Sequence, residues 1–172
     1  MSYPSIAIAN AFLEVGRKEG APTPLTPMKL LKLVYFAHGW YLALRNEPLI
    51  DETVEAWRYG PVVPSIYHAS KHFGNTNIVG DLSDEEGNIQ RVDLTSMRNA
   101  DLNDLVHWIW KQYSRYDGVQ LSNQTHEPGT PWTETMERYG GVSRMPKGID
   151  IEENMIKQYF ANQLKDVLPA GI

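Results

Sequence analysis

The sequence predicts a mainly α fold with a small antiparallel β element (α+β), built as one compact domain, residues 1–172, around a central buried helix. Three observations carry this. The stretch Pro27 to Arg45 is apolar in nearly every direction of a helical wheel. Four other stretches place apolar residues along one helical face. Strand-like patterns are short, at Val54 to Tyr59 and Ile89 to Leu94, and two such strands need a helical face to be stable.

Taken in order, the first helix runs from Ser5, as cap, to Lys18 or Glu19, with Gly20 as its stop and Ile6, Ala9, Phe12 and Leu13 inward. Ala-Pro-Thr-Pro-Leu is a stiff connector. Thr26 caps the second helix and Pro27 opens it. Lys29 and Lys32 mark its one wet side, and Gly39 on the same side lets a neighbouring backbone approach. His38, opposite the lysines among Leu31, Val34 and Leu42, reads as a core histidine bonded to a backbone group.

The stretch Trp57 to Tyr67 reads as a strand end, a rigid corner set by Pro61 and Pro64, and a helix carrying Ile66, Ala69, Ser70 and Phe73 inward as far as Gly74. In the strand, Trp57 and Tyr59 share one face with Glu55, and Val54, Ala56 and Arg58 share the other. Asp84-Glu-Glu-Gly-Asn is an acidic turn leading to the second strand. A helix from about Asp101 to Tyr116 turns Leu102, Leu105, Val106, Ile109 and Tyr113 inward, with Trp108 and Trp110 at its margins. Val119 to Thr125 is a short helix or turn, and Pro131, beside Trp132, starts another helix. A capping box, Asp150 to Glu153, opens the last helix, with Met155, Ile156, Tyr159, Phe160 and Leu164 as its stripe.

The composition narrows function. At 172 residues, with 42 % hydrophobic and 22 % charged residues, the chain is globular and large enough to bury a core. A formal charge of −5 without a basic run argues against a partner bound through phosphates, so nucleic acid is not expected. There is no cysteine, which removes thiol catalysis, disulfides and thiolate metal sites. The amino terminus lacks the parts of a signal peptide, and no apolar run reaches the ~20 residues that cross a bilayer, so a cytoplasmic protein away from membranes is expected.

Chemistry-bearing patterns are sparse. His68 and His72 stand at i and i+4, a metal-sharing spacing, but Ala69, Ser70 and Lys71 between them supply no glutamate. His72 near a helix end complements the helix dipole when protonated. No nucleophile elbow, phosphate-binding loop or dinucleotide fingerprint is present. The reading is a non-enzyme with no catalytic residue, cofactor or metal; a hydrolase would have to use His38 or His126.

The series Lys29-Leu-Leu-Lys-Leu-Val-Tyr-Phe-Ala-His-Gly-Trp-Tyr, then Glu55-Ala-Trp-Arg-Tyr-Gly-Pro-Val-Val-Pro-Ser-Ile-Tyr, resembles the Panacea domain. That family includes SocA-like antitoxins and the phage-associated proteins called GepA. The later Thr125-His126 with Pro131-Trp132, and a closing helix with Tyr159-Phe160, extend the resemblance over most of the chain. His38, Gly39, Trp57, Gly60, Pro61, Pro64, His126, Pro131 and Trp132 match the motif and are also good scaffold chemistry. The resemblance implies a mainly helical fold and the antitoxin of a two-gene, type II toxin–antitoxin system, acting by binding a toxin protein encoded next to it. Delivery of the bound toxin or another client to a protease is the alternative. Many relatives carry an added DNA-binding segment; the absence of one here brings operon self-repression into question.

The contact surface is expected beside the two-proline corner. If Trp57 points into the core, Arg58 faces out, and Tyr67, His68 and Lys71 on the next helix join it as one exposed patch. Arginine and tyrosine are common interface anchors, although a solvated charged face would look the same in sequence. A buried Trp57 would make Trp57→Ala cost about 3–5 kcal/mol.

Overall fold

The computed structural model describes residues 1–167. Its elements in chain order are α1 (Ser5–Glu19), α2 (Pro27–Arg45), β1 (Glu55–Trp57), β2 (Gly60–Val62), α3 (Pro64–Ser70), α4 (Ala100–Tyr113), α5 (Gly118–Thr125), α6 (Pro131–Arg138) and α7 (Glu153–Val167). Short 3₁₀ turns follow α3, precede α4 and lie between α6 and α7. The fold is mainly helical with one two-stranded antiparallel sheet, as the sequence predicts.

Helix α2 is the centre. Thr26 accepts the Lys29 N–H, Pro27 opens the first turn and Asn46 closes the helix in the left-handed region at φ 58°. From Leu30 to Trp40 every residue is buried, and α1, α3, α4, α5, α7 and β2 all touch it. An all-round apolar sequence is stable only when enclosed in this way. Phe36 stacks on Tyr113 of α4 at 4.4 Å, and Trp40 meets Phe160 of α7 at 5.3 Å and Trp108 of α4 at 5.2 Å.

The expected wet side does not exist. Lys29 and Lys32 are 0 % and 1 % exposed. Burial is possible because each ammonium reaches oxygens that accept its hydrogen bonds. Lys29 Nζ donates to Thr23 Oγ1 at 2.7 Å and to the Ser114 carbonyl at 2.6 Å; Lys32 Nζ donates to the Pro61 carbonyl at 3.0 Å. Trp110 also faces the Lys29 ammonium at 5.6 Å. Burial lowers the Lys32 pKa to about 7 and that of Lys29 to about 8, with Asp117 opposing the shift at Lys29.

Gly39 serves a ring and not a backbone. A Cβ there would lie 2.1 Å from the Phe160 ring, so α7 closes over α2 by seating that aromatic on the glycine. His38 is buried, as expected, but its Nδ1 has no hydrogen-bond partner among the described residues. Burial lowers its pKa to about 4.

The β element differs from expectation. The second strand is Gly60–Val62, which returns along β1 in the register Glu55–Val62, Ala56–Pro61, Trp57–Gly60. Proline is admitted because the Ala56 N–H points the other way, to the Ile149 carbonyl at 2.8 Å, so the Ala56–Pro61 pair exchanges no hydrogen bond. Asp150 and Ile151 lie along the far side of β1, where the Ile151 N–H donates to the Val54 carbonyl at 2.8 Å. That pairing and a bond from Thr53 to the Asp150 carboxylate replace the expected capping box of α7.

Residues 89–94 form no strand. The buried Asn10 side chain takes the place of a ladder: its amide donates to the Leu82 carbonyl at 2.9 Å and the Gln90 carbonyl at 2.8 Å, and its oxygen accepts the Leu82 N–H at 2.7 Å. The acidic turn between these crossings closes as expected, with the Asp84 carboxylate accepting the Glu86 and Asn88 N–H groups.

Two outcomes test this core. Gly39→Ala gains about 1 kcal/mol of helix propensity but must displace the Phe160 ring, so urea unfolding should show a net loss of about 1–3 kcal/mol. Between pH 7 and 9.5 the unfolded chain binds protons at Lys32 and Lys29 that the folded chain sheds, so melting temperature should rise with pH across that window. Lys32 alone supplies a slope of at most about 1.4 kcal/mol per pH unit, and Lys32→Met should remove that part of it.

Candidate functional site

The hairpin turn is where the chain's distinctive residues converge. Arg58 and Tyr59 form the turn with ordinary negative φ, and Gly60 at φ +112° completes it. A Cβ on Gly60 would sit 2.9 Å from both Lys32 Nζ and Thr125 Oγ1, so no side chain fits between the hairpin and helices α2 and α5.

Three alternate carbonyls of this hairpin are each held by a side chain from a different helix. Trp132 Nε1, on α6, donates to the Trp57 carbonyl at 2.7 Å. Ser122 Oγ, on α5, donates to the Tyr59 carbonyl at 2.8 Å. Lys32 Nζ, on α2, holds the Pro61 carbonyl. His126 stacks on Trp132 with ring centroids 3.9 Å apart. Burial and the nearby Lys32 lower the His126 pKa, the Tyr59 backbone opposing. Its Nε2 is buried without a hydrogen-bond partner among the described residues. Neither His38 nor His126 is hydrogen-bonded to a carboxylate among the described residues.

The structure therefore joins Trp57, Gly60, Pro61, His126 and Trp132 in one cluster. Pro64 and Pro131 open α3 and α6 at its borders, and Thr130 caps α6 by accepting the Thr133 N–H. His38 and Gly39 belong to the α2 core. Lys32 and Ser122 complete the cluster and were missed as functional positions: an interior lysine leaves no pattern distinguishable from a wet stripe, and Ser122 is an ordinary helical serine.

Beside the cluster lies a groove of about 930 Å³. Trp57, Arg58 and Tyr67 line one wall; Val142, Met145, Pro146 and Lys147, from the turn between α6 and α7, line the other. Trp57 does not enter the core as expected. Val54 and Ala56 fill that role, and Trp57 is half-buried, edge-on to Tyr67 at 4.7 Å, with its Nε1 donating to the Glu55 carboxylate at 2.6 Å. The large penalty expected for Trp57→Ala on the basis of full burial no longer applies. Arg58 faces out regardless, with its guanidinium 5.6 Å from the Tyr59 ring centroid. Tyr67 is half-buried, and His68 and Lys71 are exposed further along. Met145, Pro146 and Lys147 carry no motif or periodicity by which the sequence could single them out.

Among the described residues no group of three or more histidine or acidic side chains is placed to hold a metal, and no helix is long and apolar enough to cross a membrane.

Comparison with known proteins bears on the same region. The chain is 27 % identical to antitoxin SocA of Caulobacter vibrioides, over 96 % of its own length and 87 % of the relative's. No solved structure matches it. The family whose description reads antitoxin SocA-like, Panacea domain, matches residues 30–133, a span that starts in α2, contains the hairpin and ends one residue past Trp132. The chain belongs to the SocA-like Panacea domain family.

Proposed function

We propose that this chain is a cytoplasmic antitoxin of the type II kind, which neutralises a protein toxin encoded by an adjacent gene through direct, non-covalent capture. Membership of the SocA-like Panacea family, with a relative named an antitoxin, is the observation that carries this reading. The chain works as a binding protein and not as a catalyst, and the capture surface is the face formed by Arg58, Tyr67, His68 and Lys71.

The geometry of that face supports the assignment. Arg58 and Tyr67 share the wall of an open groove, and the hairpin carrying Arg58 is tied to three helices before any partner arrives. Pre-ordering lowers the entropy lost on association, and arginine and tyrosine are the types on which binding energy concentrates.

Co-expression with the adjacent gene tests the reading. Growth should be lost when the neighbour is expressed alone and restored with this protein. Arg58→Glu combined with Tyr67→Ala should abolish rescue while helical content stays unchanged and stability falls by only about 1 kcal/mol, the worth of the edge contact with Trp57. Rescue by the folded double variant would move the capture surface elsewhere. The toxin should persist, inactive, in rescued cells; its disappearance in the presence of an energy-dependent protease would replace capture by delivery.

A further inference from the structure

We propose that the groove between the β-hairpin and the turn after α6 takes an acidic peptide segment of the partner protein, one that alternates carboxylates with aromatic or aliphatic side chains. This rests on the capture reading and gives its partner a chemistry.

The charge distribution carries it. The chain has 21 acidic and 16 basic residues, yet the groove's lining contains Arg58 and Lys147 and no carboxylate. The acidic groups around the hairpin are turned to partners within the protein. Asp51 accepts the Ser5 N–H at 3.2 Å, and Glu52 accepts the Ser65 N–H at 3.3 Å. Glu55 accepts Trp57 Nε1, and Asp150 accepts Thr53 Oγ1 at 3.0 Å. Arg58 and Lys147, by contrast, form no ion pair among the described residues, and neither do Lys71, in the 3₁₀ turn after α3, or Arg144, three residues before Lys147. Cations at the groove that make no ion pair within the described residues are complementary to an anionic ligand.

Between the cations the walls are apolar. Trp57 and Tyr67 offer ring faces and edges, and Met145 and Pro146 oppose them. A volume of about 930 Å³ is near the top of the range for ligand pockets, ~300–1,000 Å³, and admits several side chains. A purely ionic ligand would leave these walls uncovered. A nucleic acid strand fits less well: its affinity grows with the number of phosphates neutralised, and the groove supplies two cations to hold a repeating phosphate backbone.

Selection of a random octapeptide phage library on the immobilised protein tests this. Enriched peptides should be rich in aspartate and glutamate interspersed with aromatic or aliphatic residues. The affinity of a selected peptide, read by fluorescence anisotropy, should fall at least tenfold in Arg58→Glu with Lys147→Glu, and should fall between 50 and 500 mM salt. Failure to enrich, enrichment without acidic bias, or affinity unchanged in the folded double variant overturns the proposal. So does an oligothymidylate that displaces the peptide at equal concentration, which would mark a nucleic-acid site. Toxin rescue separates the two readings: rescue intact without acidic enrichment removes the groove chemistry alone, whereas acidic peptides selected by a protein that rescues no neighbouring toxin remove the antitoxin reading alone.

Discussion

A helix buried at every position from Leu30 to Trp40 is the constraint from which the rest of the structure follows. Enclosing α2 on every side requires elements drawn from both ends of the chain, so α1 and α7 become neighbours of the same helix although more than a hundred residues separate them. The enclosure extends to two ammonium groups. A buried lysine is tolerable only where oxygens meet it, and those oxygens lie on the connector before α2, the end of α4 and the hairpin. The lysines thus act as internal ties from the central helix to the connector before it, the end of α4 and the hairpin.

The same economy explains the hairpin. Two strands of three residues have little stability alone, and a proline in one of them removes a donor. Side chains from α2, α5 and α6 supply the missing order by binding successive alternate carbonyls. Because those carbonyls are held from behind, the side chains of Arg58 and Tyr59 at the turn remain outside.

Much of the helical architecture could be read directly. Thr26-Pro27, Gly20 and Pro131 mark boundaries by local stereochemistry that tertiary contacts rarely overrule, and the all-round apolar pattern of α2 correctly identifies the centre. The misreadings share a cause, which is that a side chain's partner far along the chain is invisible. Lys29 and Lys32 look solvated until Ser114 and Pro61 are in place. Ile89 to Leu94 alternates like a strand, but Asn10 has already engaged the backbone of Gln90. Asp150 has the spacing of a cap and instead pairs with Thr53 and the edge of β1. At the groove, Arg58 and Tyr67 could be picked from type and position, whereas the opposite wall required the path of the chain between α6 and α7.

Asn10 governs a long irregular stretch with a single amide. By gripping Leu82 and Gln90 together it decouples the path of residues 83–89 from everything beneath them, since both points of entry are pinned to α1. Length changes within that arc leave the helices undisturbed. The arc between Leu82 and Gln90 is accordingly the place where this architecture can accept inserted sequence, and so acquire new appendages, without renegotiating its interior.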